Sequence, residues 1–224
     1  MKTNLTNAAC ALSLSLVASL ANAALIDRGG GLIYDTDMNI TWLQDANYAM
    51  TSGYISTITT TYNDGRMTWQ QAVDWAAQLS FGGLDDWRLP SALQFDPSCS
   101  QTVIDQHSNG WNCTGSEMGH LFYQELGGVN SGSVLYPAPL DLSLFLNFQS
   151  SNYYYGTYST GSVPNVPNYF FFNMSTGTQD LSSGSDTFYA WAVRDGDIAA
   201  VPVPAAAWLF SSGLLGFVGI SRRN

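Results

Sequence analysis

Few side chains in this chain could do covalent chemistry at neutral pH, and each lacks the companions that such chemistry needs. The two histidines, His107 and His120, are the groups whose ordinary pKa lies near neutrality. Neither sits in a His-Glu-x-x-His helix or beside a Gly-x-Ser-x-Gly elbow, the arrangements that set up a zinc-bound water or an activated serine. His120 falls two residues after Met118, one turn from Glu117 and near Gln124, and reads as a solvated or capping-face histidine rather than a ligand. Asp35-Thr36-Asp37-Met38-Asn39 has the alternation of a calcium loop. Such a loop needs Gly at its sixth position and Glu at its twelfth, which here are Ile40 and Ala46, so Asx turns explain the spacing better. Asp85 and Asp86 are adjacent and point different ways in any regular structure, a poor glycosidase dyad, although acids distant in sequence are free to meet in the fold. Arg88, between Trp87 and Leu89 and close to Asp85 and Asp86, reads as an ion pair that locks a turn, and Arg194 with Asp195 and Asp197 admits the same reading. No catalytic residue, metal or cofactor is expected.

What the chain supplies freely is surface for binding. From residue 147 onward Ser, Gly, Asn and aromatic residues dominate, and Tyr and Trp offer rigid faces with a polar handle that can stack on sugar rings. Trp111, Tyr153, Tyr154, Tyr155 and Tyr158, flanked by loop residues, are the candidates for ligand contact. The other aromatics are expected to fill the core of a small sheet. Charge narrows the partner. Between residues 24 and 200 the basic residues are four arginines, Arg28, Arg66, Arg88 and Arg194, set against all 17 acidic residues, which leaves −13. Such a body repels phosphate backbones, whose binding rests on Lys and Arg contacts, so nucleic acid is excluded as a natural partner. Anionic polysaccharides meet the same repulsion unless a divalent cation bridges them.

The elements that must position these residues are legible from pattern. Leu32-Ile33-Tyr34 and Ile40-Thr41-Trp42-Leu43 flank a turn-rich loop and predict a hairpin. Thr68-Trp69-Gln70-Gln71 is a capping box that opens a helix to about Leu79, with Trp69, Ala72, Val73, Ala76 and Leu79 on one face and Gly82-Gly83 beyond its end. Thr114-Gly115-Ser116-Glu117 repeats that grammar for a second helix carrying Met118, Leu121, Phe122 and Leu126, stopped by Gly127-Gly128. Three aromatic runs, 151–158, 168–174 and 188–194, predict strands of one antiparallel sheet.

Both ends of the chain read as address rather than fold. Lys2, an apolar run over 8–20 and Ala21-Asn22-Ala23 make residues 1–23 a secretory signal, a permanent anchor being the alternative. At the other end Val201-Pro202-Val203-Pro204 cannot be helical. It precedes an uncharged, mostly apolar stretch; with the Val-Pro pairs this is about twenty residues, roughly enough for a ~30 Å hydrocarbon core. Arg222 and Arg223 would stay on the cytoplasmic side. This arrangement resembles the PEP-CTERM sorting signal of Gram-negative bacteria in its Val-Pro-x-Pro-Ala variant, with Val203 where the commonest version has Glu. The resemblance implies an exosortase-type processing enzyme as partner; a plain C-terminal anchor is the other reading. Either way the body over 24–200, one domain by size, is delivered outside the cytoplasm, to the cell envelope, the surface or the matrix. Cys10 leaves with the signal, and in that oxidising space Cys99 and Cys113 are expected to form a disulfide around residues 100–112.

Taken in order, the pieces of the body resemble the Lcl C-terminal-like family, a bacterial domain best known from the C-terminus of a collagen-like adhesin. The matching residues include Leu32-Ile33-Tyr34-Asp35, Ile40-Thr41-Trp42-Leu43-Gln44-Asp45, Gly65-Arg66-Met67-Thr68-Trp69, Asp85-Asp86-Trp87-Arg88-Leu89-Pro90, Ser116-Glu117-Met118, Tyr153-Tyr154-Tyr155 and Tyr189-Ala190-Trp191-Ala192-Val193-Arg194. The resemblance implies an α+β, C-type-lectin-like fold: two helices packed on a small, twisted antiparallel sheet with long loops on one side, followed here by the C-terminal transmembrane helix. Calcium-mediated sugar readout of the lectin type is not implied for this chain, since Pro164-Asn165 and Pro167-Asn168 follow valines and Trp111-Asn112 is followed by Cys113. The reading that follows is a non-enzymatic binding module for extracellular polysaccharide or matrix; a self-associating matrix protein and, last, an envelope enzyme are the alternatives.

Overall fold

The computed structural model describes residues 25–103, 107–130, 140–159, 168–183 and 185–198. The signal at 1–23 and the sorting segment, with Val201, Pro202, Val203, Pro204, Arg222 and Arg223, lie outside the described residues. Among the described residues no helix is long and apolar enough to cross a membrane.

The predicted hairpin forms as β2 (Leu32–Asp35) and β3 (Ile40–Leu43), paired antiparallel from Leu32 opposite Leu43 to Asp35 opposite Ile40. Its turn is held by Asx chemistry: Asp35 Oδ1 accepts from the N–H groups of Asp37 (3.1 Å) and Met38 (3.0 Å). A strand that carries no β-rich run, β1 (Leu25–Gly29), adds to its outer edge. The other edge takes β9 (Val193–Asp195), so the sheet order is β1-β2-β3-β9. Residues 188–194 were expected beside the other aromatic strands. Instead their C-terminal half pairs with β3, while Tyr189 makes one parallel bridge to Tyr153. The segment thereby joins the first sheet to the second.

That second sheet is β6 (Asn152–Ser159), β7 (Asn168–Asn173) and β8 (Thr178–Ser182), antiparallel in that order. The polar run Thr-Gln-Asp-Leu-Ser of β8 carries little strand propensity and is recruited by ladder hydrogen bonds to β7. A short hairpin, β4 (Gln101–Val103) and β5 (His107–Asn109), attaches to β8 through mutual bonds between Gly110 and Gln179.

After the single turn α1 (Tyr48–Thr51), α2 (Trp69–Gln78) starts at the predicted capping box, with Thr68 and Gln71 bonding each other's backbone N–H. It buries Ala72, Trp75 and Ala76, and the Trp69 indole N–H reaches the Tyr155 carbonyl of β6 at 2.8 Å. The second helix departs from expectation. Its α-helical part, α3 (Glu117–His120), is a single turn, and Leu121–Glu125 continues as a π-turn closed by Leu126 N–H on the Leu121 carbonyl. The Thr114–Glu117 capping box does not form, because the helix starts later, with Ser116 at the N-cap position and Glu117 as its first residue. Ser116 Oγ accepts from the Leu93 N–H, and Glu117 faces Arg88 and the Ser91 N–H. The segment packs on the second sheet through Phe122 and Tyr123 against Phe172.

The core centres on Trp42, Trp191, Phe145 and Tyr153, whose rings meet at centroid separations of 4.9–5.7 Å. The Trp191 N–H is satisfied by the Leu43 carbonyl. The architecture is mixed α and β, with small antiparallel sheets and few helices, and the Asp85-to-Pro90 and Tyr189-to-Arg194 segments lie side by side: Arg88 and Val193 exchange both backbone hydrogen bonds.

Candidate binding groove and a buried ionisable cluster

The outward face of α2 and the Trp87-to-Ser91 segment bound an open groove of about 530 Å³, lined by Trp69, Val73, Ala76, Ala77, Trp87, Arg88, Leu89, Pro90, Ser91, Gly156 and Thr157. Its α2 wall follows from helical spacing, since 69, 73, 76 and 77 recur on one face. The volume lies within the range of small-ligand clefts. Next to its Trp69 end stands an aromatic cluster. Trp69 stacks on Tyr169 at 4.2 Å and 23°, and Tyr158 meets it edge-on at 6.1 Å. Tyr158 is 51% exposed, so its ring is open to a ligand.

The expected ligand-facing aromatics are not gathered in one place. Tyr158 stands beside the groove. Trp111 is half-buried beyond β5, next to the disulfide, and shares no ring contact with Tyr158. Tyr153, Tyr154 and Tyr155 are core residues, each 0% exposed. Successive strand side chains point to opposite faces, so three consecutive buried tyrosines mean that β6 is covered on both sides. Their hydroxyl chemistry is internal. The Tyr153 hydroxyl accepts the Gln149 N–H, the Tyr154 hydroxyl donates to the Asp186 carbonyl, and burial pushes all three phenols up. A ring with no exposed area cannot stack on an external sugar, which corrects that part of the expectation. Trp69, read from the sequence as part of the helix's core stripe, is the site aromatic that pattern reasoning passed over; its place at the first turn of α2, beyond the helix's buried centre, was the available signal.

The cysteines are joined, Cys99 to Cys113, with Cα atoms 4.1 Å apart. The bridge closes the β4–β5 hairpin loop, and Asp96 ties the same region by accepting from the Ser98 and Gly115 N–H groups.

Both motif arginines have structural partners, but not the adjacent acids. Arg88 makes a bidentate pair with Glu117 (2.8 and 2.9 Å) and also bonds Asp195. Burial alone would lower its pKa; the hydrogen bonds it donates to Glu117 and Asp195 outweigh that and raise it. Arg194 pairs with Asp86 (2.6 and 2.7 Å), whose carboxyl it holds below the usual range. Asp197 belongs to Arg28 and Asp64 to Arg66. All four arginines of the body are thus engaged by carboxylates, so none is left over for a phosphate.

A second constellation brings together residues that sequence spacing keeps apart. Asp35 at the end of β2, His120 at the end of α3 and Glu125 at the end of the π-turn place one ligand-type atom each within 4.8 Å of one another. Asp35 is 0% exposed, and the His120 and Glu125 side chains are 12% and 3% exposed, so His120, in the last turn of α3, is not the solvated histidine that was one of the two expectations. Residues five apart do not share a face of an α-helix. The wider π-turn is what carries Glu125 back to within 3.3 Å of His120. Burial raises the pKa of Asp35 and of Glu125.

A family model described as the Lcl C-terminal domain matches residues 31–194. No curated protein and no solved structure matches the chain.

Proposed function

Since the chain belongs to the Lcl C-terminal domain family, we propose that it is an exported, surface-sorted, non-enzymatic binding module whose groove along α2 takes an uncharged segment of extracellular polysaccharide. The observation that carries this reading is the groove itself, an open apolar channel beside the exposed ring of Tyr158, with Ser91 supplying a hydroxyl on its wall. Sugar rings present apolar faces that stack on such rings, and stacking needs no charge. The body's charge of −13 disfavours a polyanion, and its paired arginines offer no free cation to reverse that. Two helical segments against small antiparallel sheets support the lectin-like fold that the family resemblance implies. Export is supported by the signal pattern over 1–23 and by the disulfide; sorting by an exosortase-type enzyme is supported by the Val201-Pro202-Val203-Pro204 motif and the arginines behind it. The test is a glycan array probed with the full-length chain. Binding to neutral glycans that falls about tenfold or more in Tyr158→Ala, and in Ala77→Trp, which fills the groove from an exposed position, supports the reading. Undiminished binding in both variants removes the groove from it.

A second reading, self-association in the matrix, draws on Leu93 and Phe95, which are 47% and 52% exposed two residues apart at a turn. It predicts sedimentation coefficients that rise with concentration and a return to monomer in Leu93→Ser/Phe95→Ser.

A further inference from the structure

We propose that Asp35, His120 and Glu125 bind a single divalent cation of the zinc type, which pins the β2–β3 hairpin to the second helical segment. The three contribute one imidazole nitrogen and two carboxylate oxygens, a donor set suited to zinc and unlike the all-oxygen shells of calcium or magnesium. Asp35 Oδ2, His120 Nε2 and Glu125 Oε1 are each buried and make no well-aligned hydrogen bond, the nearest candidates being the buried Trp42 indole N–H beside the Asp35 carboxylate and the contact of His120 with Glu125. The 3.3 Å approach of His120 to Glu125 falls short of hydrogen-bond alignment.

Three buried polar atoms converging on one point cost several kcal/mol unless something satisfies them together. A proton shared among them is a poor answer. The charged groups that act on Asp35 and Glu125 are each other, Asp37 and His120, with no arginine or lysine among them. One monovalent partner offsets at most one of two buried carboxylates, whereas a dication offsets both and can take an imidazole nitrogen as a ligand. Donors at about 2.0–2.2 Å from a tetrahedral zinc stand roughly 3.3–3.6 Å apart, so atoms that lie within 4.8 Å of one another need to close by no more than about 1.5 Å.

The surroundings are prepared for this. The Asp37 and Met38 N–H groups hold Asp35 Oδ1, which turns Oδ2 toward the other two. The π-turn, a distortion common at functional sites, is what brings Glu125 beside His120. A cleft of about 180 Å³ lined by Leu25, Glu125, Asp141, Ser143 and Leu144 borders the Glu125 side of the cluster, and Asp141 on its wall adds a second carboxylate there.

The experiment uses the tag-free, full-length, disulfide-intact chain, stripped with chelator and titrated with Zn²⁺ by calorimetry, with metal content read by mass spectrometry. One Zn²⁺ per chain, a melting temperature that rises with Zn²⁺ concentration, and affinity about 100-fold weaker in His120→Gln but unchanged in His107→Gln are expected. The wild-type titration is decisive even where His120→Gln does not fold, because it needs no variant. Absence of saturable Zn²⁺ binding overturns the proposal. So does binding that survives Asp35→Asn and His120→Gln, or binding that appears only after Cys99–Cys113 is reduced.

Discussion

At the scale of single residues, neighbours in sequence have opposite fates, and substitution exposes the difference. Tyr154→Ala removes a fully buried ring that packs on Phe188, and is expected to cost about 3–5 kcal/mol in urea denaturation. Tyr158→Ala, four residues on, should change stability by no more than about 0.5 kcal/mol while weakening glycan binding. Gly119→Ala is the sharpest packing test: a Cβ there would stand 1.9 Å from the Cys113 carbonyl oxygen, a backbone atom that cannot yield, so the variant is expected to express unfolded. Acid titration separates two kinds of carboxyl. Asp86 has its pKa lowered by Arg194, so its contribution is present above about pH 4 and is lost as pH falls through the folded value. Asp35 and Glu125, which share their surroundings with His120 and Asp37, have theirs raised by burial. In chelator-treated protein the folded state then holds protons that the unfolded chain releases, and stability declines as pH rises from about 4 through the raised values. Urea midpoints across this range should steepen in that sense for wild type and flatten in Asp35→Asn.

At the scale of elements, the two helices are held by different means. The cap on α2 is local, and Thr68→Ala should cost about 1 kcal/mol. The second segment begins at Ser116 without a cap and is anchored by Glu117, which is nearly buried and accepts from Arg88 and from the Ser91 N–H. Glu117→Gln weakens both bonds and leaves Arg88 with the exposed Asp195 as its charged partner beside the Leu89 carbonyl; a loss of about 1.5–3 kcal/mol is expected by thermal denaturation, larger than for the cap. The disulfide closes a loop with a separation of 14 residues, worth about 3 kcal/mol in the chain-entropy account. Reduction should therefore lower the melting temperature and loosen the β4–β5 hairpin first, which hydrogen exchange at Ser108 and Gly110 would register.

At the scale of the whole molecule, export and sorting make one chemical prediction. Protein recovered from its host should lack residues 1–23, should end near the Val201-to-Pro204 motif, and should have a mass two hydrogens below the reduced value. Full-length cytosolic material with free thiols would contradict it. The features that were legible without coordinates are those whose physics is local. The Thr68–Gln71 box, the Asp35 turn, the β2–β3 hairpin and the strands β6 and β7 each depend on residues within a few positions of one another. The cysteine pairing was legible because Cys10 falls in the stretch read as a signal, which leaves two cysteines in the body. What tertiary structure alone decided is whatever depends on register and on which faces are covered. Arg88 chose Glu117 and Asp195 over its neighbours because its strand partner is Val193. Tyr153 to Tyr155 went inside because β6 is covered on both sides. Asp35, His120 and Glu125 met because a π-turn and a hairpin end converge. Alternation and helical period say which side chains share a face, but not what will lie across from it, since that is chosen by packing among segments far apart in the chain.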